Sequence, residues 1–90
     1  RENEITGYVQ YIDKFGNLVT NIPFEKAKLM SKVFIGKKEI GRVKSHYSEL
    51  NPSGGIVGSH GFVEIASREE NAQHLHKGSI GSPVTLITSG

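Results

Sequence analysis

The segment Ile5-Thr6-Gly7-Tyr8-Val9-Gln10-Tyr11-Ile12-Asp13-Lys14-Phe15-Gly16-Asn17-Leu18-Val19-Thr20-Asn21-Ile22 decides the fold that this sequence predicts. Its first eight residues are rich in β-branched and aromatic side chains, which are typical of a strand. Residues 13–17 are typical of a tight turn, because an aspartate side chain accepts hydrogen bonds from the amides that follow it and a glycine can take a positive φ. Residues 18–21 return as a second strand. The segment therefore predicts a β-hairpin whose turn carries an aromatic ring, Phe15, and a carboxamide, Asn17.

Short strands and turn signals continue along the rest of the chain. Strands are predicted over 32–35, 39–44, 56–57, 62–66 and 83–87. Pro23 followed by strong helix formers predicts a helix of about two turns over 24–30, and a second short helix is predicted over 71–76. The sequence Asn-Pro-Ser-Gly-Gly at 51–55 predicts a turn. We therefore expect an all-β fold, a small antiparallel β-barrel with one or two short helices.

Length and composition limit the possible functions. Ninety residues make a single domain with a small core, and the start at Arg1, close to strand-like sequence, suggests a domain of a longer protein. The net charge of +2 is too small to predict nucleic-acid binding by itself. The absence of cysteine excludes disulfides and is compatible with a reducing compartment. Without a long apolar run or a signal peptide, we expect a cytoplasmic protein with no membrane partner.

Residues for self-contained catalysis are missing. Asp13 is the single aspartate, and its turn sequence favours hydrogen bonds to its own backbone. The glutamates form no acidic pair of the kind that glycosidases use. His74 and His76 are two apart on a predicted helix and should point in different directions, so no metal site is predicted. Ser59 and His60 are neighbours that should face opposite ways on an extended chain, which argues against a nucleophile and its base.

Several side chains match what a purine ring requires. Adenine needs an apolar or aromatic surface against its face, an acceptor for its amine and donors for its ring nitrogens. Phe15 and Tyr47 can supply the faces, Asn17 both a donor and an acceptor, Glu64 an acceptor and Ser59 a small polar group. Each also has a structural alternative, namely packing for the two aromatics, turn formation for Asn17 and Ser59, and simple solvation for Glu64.

Three ordered motifs resemble those of one known family. They are Gly7 to Ile22, then His46-Tyr47-Ser48-Glu49, then Ser59-His60-Gly61-Phe62-Val63-Glu64-Ile65-Ala66 with Asn71-Ala72. Together they closely resemble the C-terminal β-barrel domain of the S-adenosylmethionine hydroxide adenosyltransferase family, which also contains the fluorinases and chlorinases. The resemblance extends over nearly the whole chain. It departs from the family at His60, where the hydrolases carry an apolar or aromatic residue, and at Arg68-Glu69-Glu70, which replaces a more neutral stretch.

The resemblance implies an activity that is divided between two domains. The family displaces methionine from S-adenosylmethionine at the ribose C5′, with water or hydroxide in the hydrolases and halide in the halogenases. S-adenosylmethionine is the substrate, and no cofactor is implied. The members are typically trimers whose ligand lies between the N-terminal domain of one subunit and the C-terminal domain of its neighbour. Residues 1–90 would then be the C-terminal domain of a two-domain protein, inactive alone because the catalytic residues belong to the N-terminal domain.

The resemblance also implies roles for individual residues. Phe15 and Asn17 would contact the nucleoside, and Tyr47 would stack on adenine. Ser59 and Glu64 would hydrogen-bond the base or the methionine end, and Ser67 would offer backbone groups. The implied partners are S-adenosylmethionine or adenosine, the protein's own N-terminal domain and the neighbouring subunits of a homotrimer.

Two hypotheses from other classes stay open. A small nucleic-acid-binding barrel would also place aromatic rings beside lysines, and lysines are frequent in the central third of the chain. Its binding would fall steeply with salt and would not distinguish adenosine. A purely structural trimerisation domain would self-associate without binding any nucleoside.

Overall fold

Seven strands close into a barrel in the order β1-β2-β6-β5-β4-β3-β7. The computed structural model describes residues 2–58, 60–69 and 71–89. The strands are β1 (Glu2–Ile12), β2 (Leu18–Pro23), β3 (Lys32–Ile35), β4 (Lys38–Val43), β5 (Ser53–Val57), β6 (Phe62–Ser67) and β7 (Pro83–Ser89). Within these residues the helical elements are short: α1 (Ala72–His76) and two 3-10 helices, Phe24–Lys26 and Tyr47–Glu49. The predicted all-β barrel with short helices is confirmed.

The interior of the barrel is filled by aliphatic side chains from alternating strand positions. Val63 and Ile65 of β6 are fully buried, whereas Phe62 and Glu64, which alternate with them, are partly exposed. The same alternation places Val84 and Leu86 of β7 in the core. Closure is completed by the long antiparallel pairing of β1 with β7, from Glu2 opposite Ser89 to Tyr8 opposite Pro83. Burial of these side chains is the main stabilising contribution to the barrel.

One strand pair departs from the predicted antiparallel pattern. β5 runs parallel to β4, with Arg42 opposite Gly54 and Val43 opposite Gly55. The turn predicted over 51–55 is therefore wrong in its second half, because Ser53–Val57 is a strand. A side chain at Gly54 would place its Cβ closer than 3.0 Å to the Arg42 carbonyl oxygen. The glycines at 54 and 55 thus serve close approach of two strands instead of a turn.

The predicted helix over 24–30 is wrong beyond its first turn. A 3-10 helix ends at Lys26, and Ala27 is already extended. The Phe24 amide donates to the Gly61 carbonyl and the Met30 amide donates to the Val43 carbonyl, both outside the segment. Because so short a helix is marginal in isolation, these bonds to the barrel override its local propensity.

Within the described ranges, no helix is long and apolar enough to cross a lipid bilayer.

Candidate functional site

A cleft of about 440 Å³ opens beside the β1–β2 turn. Three parts of the chain meet there: the turn itself, the 3-10 helix between β4 and β5, and the segment after β6. The residues that line the cleft are Phe15, Asn17, Tyr47, Ser67, Arg68, Glu69 and Asn71. Four of these residues were predicted from the sequence to contact a ligand, although they are spread along the chain: Phe15, Asn17, Tyr47 and Ser67.

Asp13 builds the turn that presents Phe15 and Asn17. Its carboxylate oxygen Oδ1 accepts hydrogen bonds from the backbone amides of Phe15 and Asn17, each at 2.9 Å. The other oxygen accepts a longer bond, 3.3 Å, from the Asn17 carboxamide. The structural role predicted for Asp13 is confirmed. Asn17 lines the cleft, and its bond to Asp13 uses only one of the two N–H donors of its carboxamide.

Gly16 docks the turn onto the start of α1. Its backbone has a φ of +82°, which L-residues rarely adopt and which glycine, without a Cβ, adopts readily. Its carbonyl accepts a hydrogen bond of 2.9 Å from the Gln73 amide in α1. A Cβ at this position would lie closer than 3.0 Å to three side-chain atoms of Asn71. The close approach that glycine permits therefore brings Asn71 to the same cleft as Asn17.

The 3-10 helix Tyr47–Glu49 is fixed by the carboxylate of Glu49. One carboxylate oxygen accepts hydrogen bonds from the Ser45 hydroxyl, at 2.7 Å, and from the His46 amide, at 2.9 Å. These two bonds hold the pKa of Glu49 below its ordinary value, with the Ser45 bond the larger cause. The carboxylate thus remains ionised and holds the turn that carries Tyr47.

Tyr47 connects this turn to the end of β6. Its hydroxyl donates to the Ser67 carbonyl at 2.8 Å, and the Ser67 hydroxyl accepts from the Glu69 amide at 3.2 Å. The Arg68 amide donates to the Pro52 carbonyl at 2.8 Å. One hydrogen bond therefore joins the phenol to the end of β6, and the other two hold the backbone of 67–69 to itself and to Pro52. The family resemblance implied that backbone groups of Ser67 meet the ligand. Its carbonyl already accepts the hydrogen bond from the Tyr47 hydroxyl.

Two aromatic rings at the cleft remain open to solvent. Phe15 is 68 % exposed and Tyr47 is 48 % exposed. The Lys14 ammonium lies 5.4 Å from the centroid of the Phe15 ring, within cation–π range. Exposed aromatic rings beside polar side chains are typical of binding surfaces. Arg68 and Glu69 add one charge of each sign to the same wall.

Two further residues, Glu64 and Ser59, were predicted to contact the ligand. Glu64 is on β6 opposite Val19 and Ile56, and its carboxylate lies along the backbone of Gly58, away from the lining of the cleft. Ser59 lies outside the described residues. Arg68, Glu69 and Asn71 line the cleft without having been assigned a role from the sequence. Asn71 belongs to a motif that supported the family resemblance, and Arg68 and Glu69 directly follow Ser67.

His76 has a structural partner. Its Nε2 lies 2.9 Å from the Ser53 hydroxyl and connects α1 to β5. Burial lowers the pKa of His76, and the positive charge of Lys38 lowers it further. Among the described residues, no three histidine, aspartate or glutamate side chains form a group that could hold a metal ion.

Comparison with known proteins agrees with the motifs. The family model of the SAM hydroxide adenosyltransferase C-terminal domain matches residues 7–85. Among solved structures, an uncharacterized conserved protein from Thermotoga maritima has a similar fold, with a TM-score of 0.76 and 24 % identity over 92 % of this chain and 35 % of that chain. A conserved hypothetical protein from Thermus thermophilus has a TM-score of 0.79 and 26 % identity over 90 % of this chain and 34 % of that chain.

The matched region is short relative to those proteins, since the chain spans roughly a third of the length of the two structures. No curated protein matches the sequence significantly. The family model nevertheless covers most of the chain. This chain therefore belongs to the SAM hydroxide adenosyltransferase C-terminal domain family.

Proposed function

We propose that the cleft beside the β1–β2 turn is the adenosine side of an S-adenosylmethionine site. The parent protein would be a hydrolase that converts S-adenosylmethionine and water to adenosine and L-methionine. The N-terminal domain of a neighbouring subunit, in a cytoplasmic homotrimer, would form the opposite wall. The observation that carries this proposal is the convergence of Phe15, Asn17, Tyr47 and Ser67 on one cleft in a chain of this family.

The size and polarity of the cleft suit a nucleoside. Its volume of about 440 Å³ falls in the range of roughly 300–1,000 Å³ that is common for small-molecule sites. Phe15 and Tyr47 offer ring faces for stacking, and Asn17 and Asn71 offer carboxamides at the edge. Arg68 and Glu69 provide opposite charges, which complement the carboxylate and ammonium of a methionine end.

The proposed division of labour explains why this domain should be inactive alone. A sulfonium is a good leaving group and needs little acid catalysis, so the rate depends mainly on orienting and desolvating the nucleophile. The exposed rings of Phe15 and Tyr47 leave the cleft open to water. A second wall is therefore needed to exclude water and to place the nucleophile at C5′.

Binding to the full-length protein tests the proposal. Adenosine affinity is measured by calorimetry for the wild type, for Asn17→Ala and for the matched control Asn3→Ala, which removes an exposed carboxamide of β1 outside the cleft. We expect Asn17→Ala to weaken adenosine about tenfold, since it removes one or two hydrogen bonds of about 1 kcal/mol each. Asn3→Ala should bind as the wild type does.

Two results would count against an adenosine site. Equal adenosine affinity in all three proteins would remove Asn17 from the site. Binding of a single-stranded oligonucleotide that falls steeply with salt, with no affinity for adenosine, would favour the nucleic-acid hypothesis instead. A stable trimer that binds neither ligand would favour a structural role.

A further inference from the structure

A second, smaller pocket lies where the segment before β3 meets β4 and the end of β7. Its volume is about 220 Å³, and it shares no lining residue with the first cleft. The residues that line it are Lys28, Leu29, Met30, Ser31, Lys32, Arg42, Ile87 and Thr88. Three of them are cations and none is a carboxylate. Glu39, on the same strand as Arg42, lines a neighbouring depression instead.

Two buried hydroxyls at this pocket lack a hydrogen-bond partner among the described residues. Ser31 is 1 % exposed and Thr88 is 9 % exposed. Within the described part of the chain, no donor or acceptor reaches the Oγ of Ser31 or the Oγ1 of Thr88. Buried hydroxyls are normally hydrogen-bonded, because leaving one unpaired is unfavourable. The pocket is thus lined by two residues whose hydroxyl donors no described residue satisfies.

The segment 28–31 is held firmly in place. The Met30 amide donates to the Val43 carbonyl at 2.9 Å, and the Val43 amide donates to the Ser31 carbonyl at 2.8 Å. Arg42 donates through Nη1 to the Met30 carbonyl at 2.9 Å, which fixes the guanidinium and leaves its other N–H donors available. Met30 itself has a φ of +77°. Such strained conformations in residues other than glycine cluster at binding sites.

We propose that this pocket binds a small oxyanion of the phosphate or sulfate class. Its volume is below the roughly 300 Å³ at which organic-ligand pockets usually begin, so a small ion suits it. The Arg42 guanidinium matches the oxygen geometry of such anions, and the Lys28 and Lys32 ammonium groups add charge-assisted donors. Ser31 and Thr88 add two neutral donors from other chain positions. Donors arriving from several directions suit a tetrahedral anion better than a planar carboxylate.

Nuclear magnetic resonance titration of the 90-residue chain tests the proposal. Sodium phosphate is added to one ¹⁵N-labelled sample, and sodium chloride at equal ionic strength is added to another. We expect saturable shifts of the Ser31, Lys32, Arg42 and Thr88 amides with phosphate and no saturable shifts with chloride. Shifts of equal size in the two salts would overturn the proposal, because they would report general screening.

A matched pair of lysine variants distinguishes phosphate binding at this pocket from a general effect of net charge. Lys32→Met removes a cation that lines the pocket, whereas Lys37→Met removes one from the exposed β3–β4 turn. We expect Lys32→Met to weaken phosphate about tenfold, as the loss of a charge-assisted hydrogen bond implies. Lys37→Met should leave the affinity unchanged. An equal loss in both variants would contradict a specific site.

Ser31→Ala separates a binding role from a structural one. Without phosphate, the variant should be at least as stable as the wild type, since it removes an unpaired buried hydroxyl. It should nevertheless bind phosphate about tenfold more weakly. Unchanged phosphate affinity in this variant would contradict the role of the hydroxyl.

Titration with glycerol phosphate then identifies the source of the anion. Affinity equal to that of inorganic phosphate indicates the phosphate group of a larger molecule, and weaker affinity indicates the free ion.

Discussion

Replacing Gly16 with alanine should damage both the stability of the barrel and its candidate site. The φ of +82° at Gly16 disfavours any residue with a Cβ, by roughly 1–2 kcal/mol. The new methyl group would also lie closer than 3.0 Å to three Asn71 atoms, and overpacking of this kind typically adds about 1–3 kcal/mol. We therefore expect Gly16→Ala to lower the free energy of unfolding by about 2–5 kcal/mol.

Gly81→Ala is the matched control for this experiment. Gly81 has a φ of +91°, and apart from Gly81 and its two chain neighbours no described residue has an atom within 4 Å of the position that its Cβ would occupy. It carries the backbone strain without the clash, so the expected loss is only about 1–2 kcal/mol.

Urea unfolding of the 90-residue chain measures both variants, and adenosine affinity is then measured in the full-length protein. Gly16→Ala should bind adenosine more weakly because its methyl group displaces Asn71 in the cleft, while Gly81→Ala should bind normally. Equal destabilisation by the two substitutions, or wild-type adenosine affinity in Gly16→Ala, would refute the argument that the Gly16–Asn71 contact shapes the site.

Individual hydrogen bonds and one partly buried histidine give three further predictions. Tyr47→Phe removes the donor to the Ser67 carbonyl and should lower the free energy of unfolding by about 1 kcal/mol, measured by urea unfolding; no change would show that this bond does not hold the ring. Asp13→Ala removes the acceptor of two turn amides and should destabilise the chain by about 1–3 kcal/mol in the same assay, with Asp13→Asn less severe. Because burial and then Lys38 lower the pKa of His76, the unfolded chain binds that proton more readily. The stability that His76 contributes is therefore present above pH 6.5 and is lost as the pH falls through 6.5 toward the folded-state pKa. His76→Gln should reduce that pH dependence in unfolding experiments, and an unchanged slope would contradict this assignment.

The parts of the fold that were predictable from sequence are those with local causes. The first hairpin follows from strand-forming residues on both sides of a turn that Asp13 closes with its own carboxylate. The second hairpin, β3 with β4, follows from similar local signals around Gly36. In both cases the interacting residues are close in sequence, so propensity and turn chemistry suffice.

The errors arose where distant residues decide the conformation. Residues 53–55 have the composition of a turn, but their glycines allow β5 to pair in parallel with β4. Residues 27–30 have the composition of a helix, but bonds such as that from Met30 to Val43 hold them to the barrel. Neither partner can be identified from local sequence.

The candidate site shows the same division. Phe15 and Asn17 are brought together by their own turn. Tyr47 was predicted as a ring face from its chemistry, but nothing in the local sequence places it near that turn, and Ser67 was predicted only through the family resemblance. Their meeting at one cleft depends on the connection between β4 and β5. Ser31 and Thr88 line the same pocket, and the hydroxyls of both lack a partner among the described residues. Their proximity could not be predicted from the sequence, because the two residues are separated by most of the chain.

Turnover of S-adenosylmethionine by the full-length protein tests the central claim most directly. Adenosine and L-methionine are quantified for the wild type, for Asn17→Ala and for the 90-residue chain alone. The account predicts release of both products by the wild type, a large loss in Asn17→Ala and no turnover by the chain alone. A well-folded full-length protein that releases no methionine from S-adenosylmethionine, with or without added halide, would contradict the account, as would full activity in Asn17→Ala.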